Sequence, residues 1–259
     1  MYTKIKMGFI IASLMTISSS LFAKGGRNFY QMKIYHLKNN EQVNSVDEYL
    51  QNVYLPALHR LNIKNIGVFK PIANDTAAVK YIYVLIPFKS DEEWVKLDKN
   101  IVKDKVYDEA AKGFLAAPSD KAPYERMESI LLEAFESQQQ LLLPATKNAE
   151  RVFELRSYES PTENLSAKKI GMFNKDEINI FNRLGFNPVF YGRVLSGSRM
   201  PNLMYMPIFK SVEDRNAQWK VFGADAKWKE ISADPVNENK VSVSHIDSIL
   251  MHSTSYSDY

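Results

Sequence analysis

Hydrophobic and polar residues alternate at residues 30–35 and again at 153–158, which predicts two half-buried strands. In each strand one row is apolar, and the opposite row carries an acceptor, a cation and a tyrosine in the same order. The apolar rows are Tyr30, Met32 and Ile34 and, in the second strand, Phe153 and Leu155; the polar rows are Gln31, Lys33 and Tyr35, and Glu154, Arg156 and Tyr158. We predict that the apolar rows pack against helices and that the polar rows face the other way.

The two strands belong to a longer repeat, because two more blocks recur in the same order. The first strand recurs after 123 residues, the block Phe88-Lys89-Ser90 after 121 and the block that begins at Ser129 after 119. A steady offset over three blocks indicates a duplication into two like domains that pack on each other. We place the domains at residues 28–135 and 151–259, with a linker at 136–150.

Each copy predicts the element order β, α, β, β, α, β, which is the split βαβ, ferredoxin-like unit. Helices at about 45–61 and 167–184 follow the first strands, and second helical regions span about 91–115 and 212–231. The apolar stripes of the first helices contain Val46, Leu50, Val53, Leu58 and Leu61 in one copy and Ile170, Phe173, Glu177, Ile180, Phe181 and Leu184 in the other.

A ferredoxin-like sheet has helices on one face only, so its other face has to be covered. The tandem partner offers this cover. The predicted fold class is therefore α+β, with two tandem ferredoxin-like (βαββαβ) units packed sheet to sheet as an α/β barrel within one chain.

The first 23 residues predict a secretory signal. Lys4 and Lys6 form its positively charged start, and the apolar run from Met7 to Ile17 is shorter than the ~20 residues that cross a bilayer. We expect cleavage after Ala23, export to the periplasm or the medium, and no membrane span. Since the chain has no cysteine, we expect neither a lipoprotein anchor nor a disulfide.

Composition and motifs argue against several classes of function. A formal charge of +3 does not indicate a nucleic-acid partner. The sequence has no Gly-x-Ser-x-Gly elbow, phosphate loop or dinucleotide fingerprint. We predict no metal and no cofactor, because the histidines form no HxxxH or HxH pair, although a haem with one of them as axial ligand stays open. The histidines are His36, His59, His245 and His252.

Several segments of the second copy resemble the NIPSNAP family, which is related in fold to the dimeric α/β barrel proteins. These segments are RVFELRSYE at 151–159, KIGMFNKDEINIFNRLGF at 169–186, VFYG at 189–192, GSRMPNLMYM at 197–206 and FGADAKWK at 222–229, with Trp219 and Tyr256-Ser257-Asp258. The first copy resembles the upstream half of tandem NIPSNAP-like proteins through YHL at 35–37, YLPALHR at 54–60 and YVLIPFKS at 83–90. The resemblance implies a fold and supplies no catalytic motif; related barrel families include cofactor-independent monooxygenases and haem-handling enzymes.

The polar rows are the main candidate for a functional site, because buried charges must be paired or solvated. If the two sheets face each other, these rows meet in a shared interior, where a small polar or anionic ligand would satisfy the two cations. In the alternative, Glu154 and Arg156 pair with neighbours at the seam between the domains, and no ligand is needed. The predicted ligand-binding residues are Lys33, Tyr35, His59, Glu154, Arg156, Tyr158, Arg199, Asn202 and Tyr205.

The sequence thus predicts an exported protein that binds a small organic or anionic ligand in or beside the barrel, with catalytic residues unassigned and a homo-oligomer left open. One alternative is a cofactor-independent monooxygenase or isomerase that uses Tyr158, Tyr205 or His59. Another is a protein-interaction module. A closed, polar-lined cavity favours the ligand or the enzyme, and a filled interior with an exposed apolar helix face favours the interaction module.

Overall fold

The computed structural model describes residues 26–144, 148–235 and 237–259, and the predicted signal segment lies outside them. In these residues the strands are β1 (Phe29–Leu37), β2 (Gly67–Pro71), β3 (Lys80–Phe88), β4 (Arg126–Ala134), β5 (Val152–Glu159), β6 (Asn187–Ser196), β7 (Asn202–Phe209) and β8 (His245–Ser253). The strands β1 to β4 form the first half of the molecule, and β5 to β8 form the second.

The helices of each half pack on the outward face of its strands. They are α1 (Asn40–Tyr49), α2 (Leu55–Arg60), α3 (Asp91–Val95), α4 (Leu97–Ile101), α5 (Lys105–Leu115), α6 (Glu163–Met172), α7 (Ile178–Arg183), α8 (Val212–Ala224), α9 (Ala226–Ser232) and α10 (Asn239–Ser242). Two π-helical turns, Leu50–Tyr54 and Phe173–Glu177, connect α1 to α2 and α6 to α7, and a short 3-10 turn spans Ser119–Lys121. Among the described residues, no helix has the length and apolar character that a membrane crossing needs.

The strands close into one barrel in the order β1-β3-β2-β8-β5-β7-β6-β4. Each half contributes four neighbouring strands in the order of a ferredoxin-like unit, 4-1-3-2 in the first half. The halves meet at two hydrogen-bonded seams, where Phe69 of β2 pairs with Ser253 of β8 and Glu133 of β4 pairs with Arg193 of β6. The predicted fold class is confirmed.

Both first helices begin several residues earlier than predicted, because a polar residue caps each of them. The Asn39 side chain accepts a hydrogen bond from the backbone N–H of Gln42 at 2.9 Å. Thr162 does the same for Leu165 at 3.3 Å. A cap of this kind satisfies a backbone donor that the helix leaves open, so the helix can start before its apolar stripe does.

The predicted orientation of the alternating rows is wrong. The apolar rows of β1 and β5 lie inside the barrel in one cluster, and the opposite rows face the helices. Inside a closed barrel a buried charge finds few hydrogen-bond partners or counter-ions, whereas on the outward face the helices supply charged and polar side chains. The residues that face the helices instead of the interior are Gln31, Lys33, Tyr35, Glu154, Arg156 and Tyr158.

Large apolar side chains fill the barrel interior, including Tyr30, Phe69, Phe153 and Phe190. Tyr259 joins them, with its ring centroid 5.4 Å from that of Phe69 and 6.2 Å from that of Phe153. The polar rows are absent from this space, so the candidate site has to be sought between the strands and the helices.

Candidate functional site

The structure separates the predicted ligand-binding residues into four places. Glu154, Arg156, Tyr158 and Tyr205 lie between the strands and helices of the second half, and Lys33 and Tyr35 lie at the same interface of the first half. Arg199 and Asn202 lie at one end of the barrel, and His59 lies at the end of α2.

Glu154 of β5 is fully buried and accepts hydrogen bonds from four side chains. Arg215 of α8 donates from Nε at 2.9 Å and from Nη2 at 2.6 Å, and Trp219 donates from Nε1 at 2.7 Å. Arg156 donates from Nη1 at 2.5 Å and Ser248 from Oγ at 2.6 Å. Burial raises the pKa of the Glu154 carboxyl, but these donors outweigh burial and hold it at about 2. Glu154 is therefore a carboxylate at neutral pH, and it fastens α8 to the sheet.

The Arg156 guanidinium is also fully engaged. Its Nε and Nη2 donate to the Tyr158 hydroxyl at 3.0 and 2.8 Å, and it lies 4.6 Å from the centre of the Trp219 ring. The Tyr158 hydroxyl lies 2.9 Å from that of Tyr205. The alternative prediction placed the partners of Glu154 and Arg156 at the seam between the domains. Both residues are paired in the structure, but they lie beneath α8 and not at a seam.

Glu177 differs from these residues because its carboxyl is buried without a full set of partners. Glu177 is 3% exposed, and its Oε2 has no hydrogen-bond partner among the described residues. Burial raises the pKa of Glu177 to about 7, against the opposing charges of Lys169 and Arg156. The buried hydroxyl of Tyr191 on β6 also lacks a hydrogen-bond partner in the part of the chain that the structure describes. Burial together with the charge of Glu177 raises the pKa of this hydroxyl.

Lys169 of α6 brings a cation to the same interface. It is 2% exposed, and its Nζ donates to Oδ1 of Asn239 on α10 at 2.9 Å. The amine also lies 5.7 Å from the ring centre of Phe173, 5.9 Å from that of Trp228 and 6.0 Å from that of Tyr158. Burial lowers the pKa of Lys169, although the charge of Glu177 acts in the opposite direction.

A π-helical turn places Glu177 beside the sheet. Glu177 ends the turn Phe173–Glu177, and π-helical turns are rare and frequent at functional sites. Sequence reasoning did not select Glu177, Lys169 or Tyr191. The signal that could have found Glu177 is its place in an otherwise apolar helical stripe, where a carboxylate has to be buried.

Aromatic rings line this interface. The Phe173 and Tyr205 ring centroids are 5.3 Å apart, and the Tyr191 and Tyr205 rings stack at 5.6 Å. We refer to the set formed by Glu177, Lys169, Tyr191, Arg156, Tyr158 and Tyr205 as the Glu177 site. It combines a carboxyl that can exchange a proton near neutral pH, two cations and flat apolar walls.

The first half supplies an internal comparison for the Glu177 site. The offset of 123 residues carries from the first strands into the first helices, so Val46 corresponds to Lys169 (169 − 123) and Tyr54 to Glu177 (177 − 123). Both first-half residues are buried, and both lie in its apolar core. The same β-strand, helix and π-helical turn therefore form without the buried lysine and carboxylate.

Arg199 closes one end of the barrel from the turn between β6 and β7. Its guanidinium pairs with Asp247 and, at 3.0 Å, with Glu159. Glu159, His245 and Asp247 bring potential metal-ligand atoms within 4.8 Å of one another, but both carboxylates already form ion pairs with Arg199. Nearby, Asn202 donates to the Ser157 hydroxyl at 2.8 Å. In this structure Arg199 and Asn202 hold the barrel end together.

His59 lies apart from the other predicted residues. Its Nε2 is 3.0 Å from Oδ2 of Asp258, which also accepts from the backbone N–H of Ile66 at 2.8 Å. His59 therefore fastens the tail of the second half to the first half.

The architecture defines the class of the protein, an α/β barrel of the dimeric type that is built here from both halves of one chain. The second half carries the more specific signature, because residues 153–258 match the model of the NIPSNAP family. No curated protein matches the sequence.

Solved structures share the architecture at low sequence identity. A protein from Fusobacterium nucleatum subsp. nucleatum, described as a "putative monooxygenase", is 6% identical, with a TM-score of 0.59 over 88% of this chain and 93% of that one. A protein of the same description from Lactobacillus acidophilus is 12% identical, with a TM-score of 0.55 over 88% and 94% of the two chains. An anthrone oxidase-like protein is 8% identical, with a TM-score of 0.54 over 88% and 92%. These likenesses show the fold.

Proposed function

We propose that the second half binds a small, weakly acidic organic molecule at the Glu177 site and that Glu177 takes a proton from it. The observation that carries this proposal is that Oε2 of the buried Glu177 and the buried hydroxyl of Tyr191 have no hydrogen-bond partner within residues 26–144, 148–235 and 237–259. A buried polar group without a partner costs roughly 1–3 kcal/mol. A ligand that hydrogen-bonds to both groups would remove this cost.

The charges of the site suit proton removal. A general base works best when its pKa lies near the working pH, and burial brings the pKa of Glu177 to about 7. Lys169 and Arg156 both act electrostatically on Glu177, so they are placed to stabilise the anion that remains after the proton has left.

The walls of the site favour a flat, aromatic ligand. Phe173, Tyr191 and Tyr205 present rings at stacking distances, and Tyr158 adds a hydroxyl that is already oriented by Arg156. Because Glu177 and Lys169 are almost fully buried, the helices over the site have to separate before a ligand can reach them. We therefore expect slow association.

The structural neighbours suggest a probe for this chemistry. One of them is described as anthrone oxidase-like. Anthrone is flat and aromatic, and its methylene group is acidic because the anion is delocalised onto the carbonyl oxygen. We expect the protein to bind anthrone and to accelerate the exchange of its methylene hydrogens with heavy water, measured by proton NMR.

Two matched variants distinguish the loss of the Glu177 carboxylate from the loss of any negative charge on the same turn. Glu177→Gln should lower the exchange rate by about 10²-fold or more, because it removes the base and keeps the shape. Asp176→Asn removes the same charge from the partly exposed neighbour on the same turn and should leave the rate unchanged. Equal rates for the wild type and Glu177→Gln would contradict the proposal. Oxygen uptake that accompanies the exchange would assign an oxygenase, and exchange without uptake would assign an isomerase or a binding protein.

A further inference from the structure

Lys33 occupies the position in β1 that Arg156 occupies in β5 (156 − 123), but its environment is different. The Lys33 amine lies 4.7 Å from the centre of the Tyr54 ring. Among the described residues, no hydrogen-bond acceptor or carboxylate pairs with this amine. Arg156, in contrast, donates to Glu154 and Tyr158.

The missing partner is explained by one difference between the halves. The carboxylate of Glu154 is replaced in β1 by the amide of Gln31, which donates to the Ser129 hydroxyl at 2.7 Å. The remaining charge that acts on Lys33 belongs to Asp98 of α4, which is exposed. Lys33 therefore has no counter-ion in contact with it in the described part of the chain.

The core of the first half contains four buried tyrosines, and the Tyr54 ring among them lies against the Lys33 amine. Tyr35, Tyr49, Tyr54 and Tyr107 are all buried, and the hydroxyls of Tyr49 and Tyr107 are 2.9 Å apart. Burial among these rings lowers the pKa of Lys33 to about 8, with a smaller opposing effect from Asp98. A desolvated lysine with a lowered pKa is a nucleophile near neutral pH.

Two lysines of the described chain are buried, and both have their amines occupied. Lys80 donates to the backbone carbonyls of Asn74 at 3.0 Å and Asp75 at 2.6 Å. Lys169 donates to Asn239. Lys33 differs from both, because its residue is partly exposed and its amine is not occupied by another group of the described chain.

We propose that Lys33 is a reactive amine that condenses with a small aromatic aldehyde or ketone lying against Tyr54. In the first step the uncharged Nζ attacks the carbonyl carbon, a C–N bond forms, and the carbonyl oxygen takes the proton that the nitrogen loses. Loss of water from this carbinolamine gives an imine. No oxidant or reductant is consumed, and the ring of the ligand is held by the ring of Tyr54.

The test labels the full chain with benzaldehyde and sodium cyanoborohydride, which reduces the imine to a stable benzylamine, at a series of pH values from 6 to 10. Peptide mass mapping then assigns each label. We expect Lys33 to be modified first, with half-maximal labelling near pH 8, whereas ordinary lysines follow a pKa of about 10.4. Labelling spread evenly over the lysines, or labelling of Lys33 that follows the ordinary pH dependence, would overturn the proposal.

Two variants complete the test. Lys33→Arg keeps the cation and removes the nucleophile, so the early label should disappear. Lys38→Arg makes the same change at an exposed lysine just after the same strand and should leave the early label in place. The pH series on the wild-type chain decides the proposal even if Lys33→Arg does not fold.

Discussion

The two buried glutamates of the second half, Glu154 and Glu177, differ in how their charge is compensated. Glu154 accepts hydrogen bonds from Arg156, Arg215, Trp219 and Ser248, so its burial is fully compensated. Glu177 lacks this compensation. A buried charge that is compensated is expected to hold the fold together, whereas one that is not compensated weakens the fold and is expected to be retained for chemistry.

Glu154→Gln should therefore destabilise the protein by roughly 3–5 kcal/mol, because Arg156 and Arg215 lose the carboxylate between them. Chemical denaturation of the wild type and the variant at pH 7 measures this loss. Since the pKa of Glu154 is about 2 in the folded protein and its ordinary value is 4.5, its contribution is present above pH 4.5 and is lost as the pH falls towards 2. Glu136→Gln, a change at an exposed carboxylate that pairs with Arg27, should alter the stability by less than about 1 kcal/mol. A similar loss for both variants would contradict the distinction.

Two features of single residues could not be predicted from the sequence: which row of a strand faces the helices, and which distant side chains contact Glu154. The alternation in β1 and β5 predicted the two rows correctly, but a period of two does not say which row faces the helices. Arg215 and Trp219 lie about 60 residues beyond Glu154, so their convergence on it depends on the packing of α8 and not on a local pattern.

The helices and strands were the features best predicted from the sequence, because the apolar periodicity and the internal repeat each extend over many residues. The helix over residues 167–184 was predicted from its stripe and is found at Glu163–Arg183. Periodicity could not predict the π-helical turn inside it, since one widened turn barely changes the apolar stripe. That turn sets the position of Glu177.

The comparison between the halves predicts that the buried charges of this helix are dispensable for folding. Lys169→Met combined with Glu177→Leu should leave the protein as stable as the wild type at pH 8 or more stable by about 1–4 kcal/mol, as in the apolar first half. Lys168→Met combined with Asp176→Leu makes the same changes one residue earlier, on the more exposed side, and should give no gain. Thermal melts compare the two. Loss of folding in the first variant but not in the second would show that the charges are structural.

At the scale of the whole molecule, the barrel joins two units that carry different sites. The repeat predicted the barrel because each bare sheet face needs a cover, and the closed strand order confirms it. The halves differ in polar residues at matching positions, and these differences leave a carboxyl unpaired in one half and an amine unpaired in the other. Since the two halves share one hydrophobic interior, we expect them to unfold together in a single cooperative transition.

The most direct test of the central claim, that Glu177 is a base with a near-neutral pKa, is the free energy of unfolding of the wild type and of Glu177→Gln between pH 4 and pH 9. The folded pKa of about 7 lies above the ordinary value of 4.5, so the native state binds more protons between these values and wild-type stability falls as the pH rises through them. We predict nearly equal stabilities at pH 4. Above pH 7 the variant should be more stable by on the order of 3 kcal/mol. A difference that stays constant across the pH range would contradict the account.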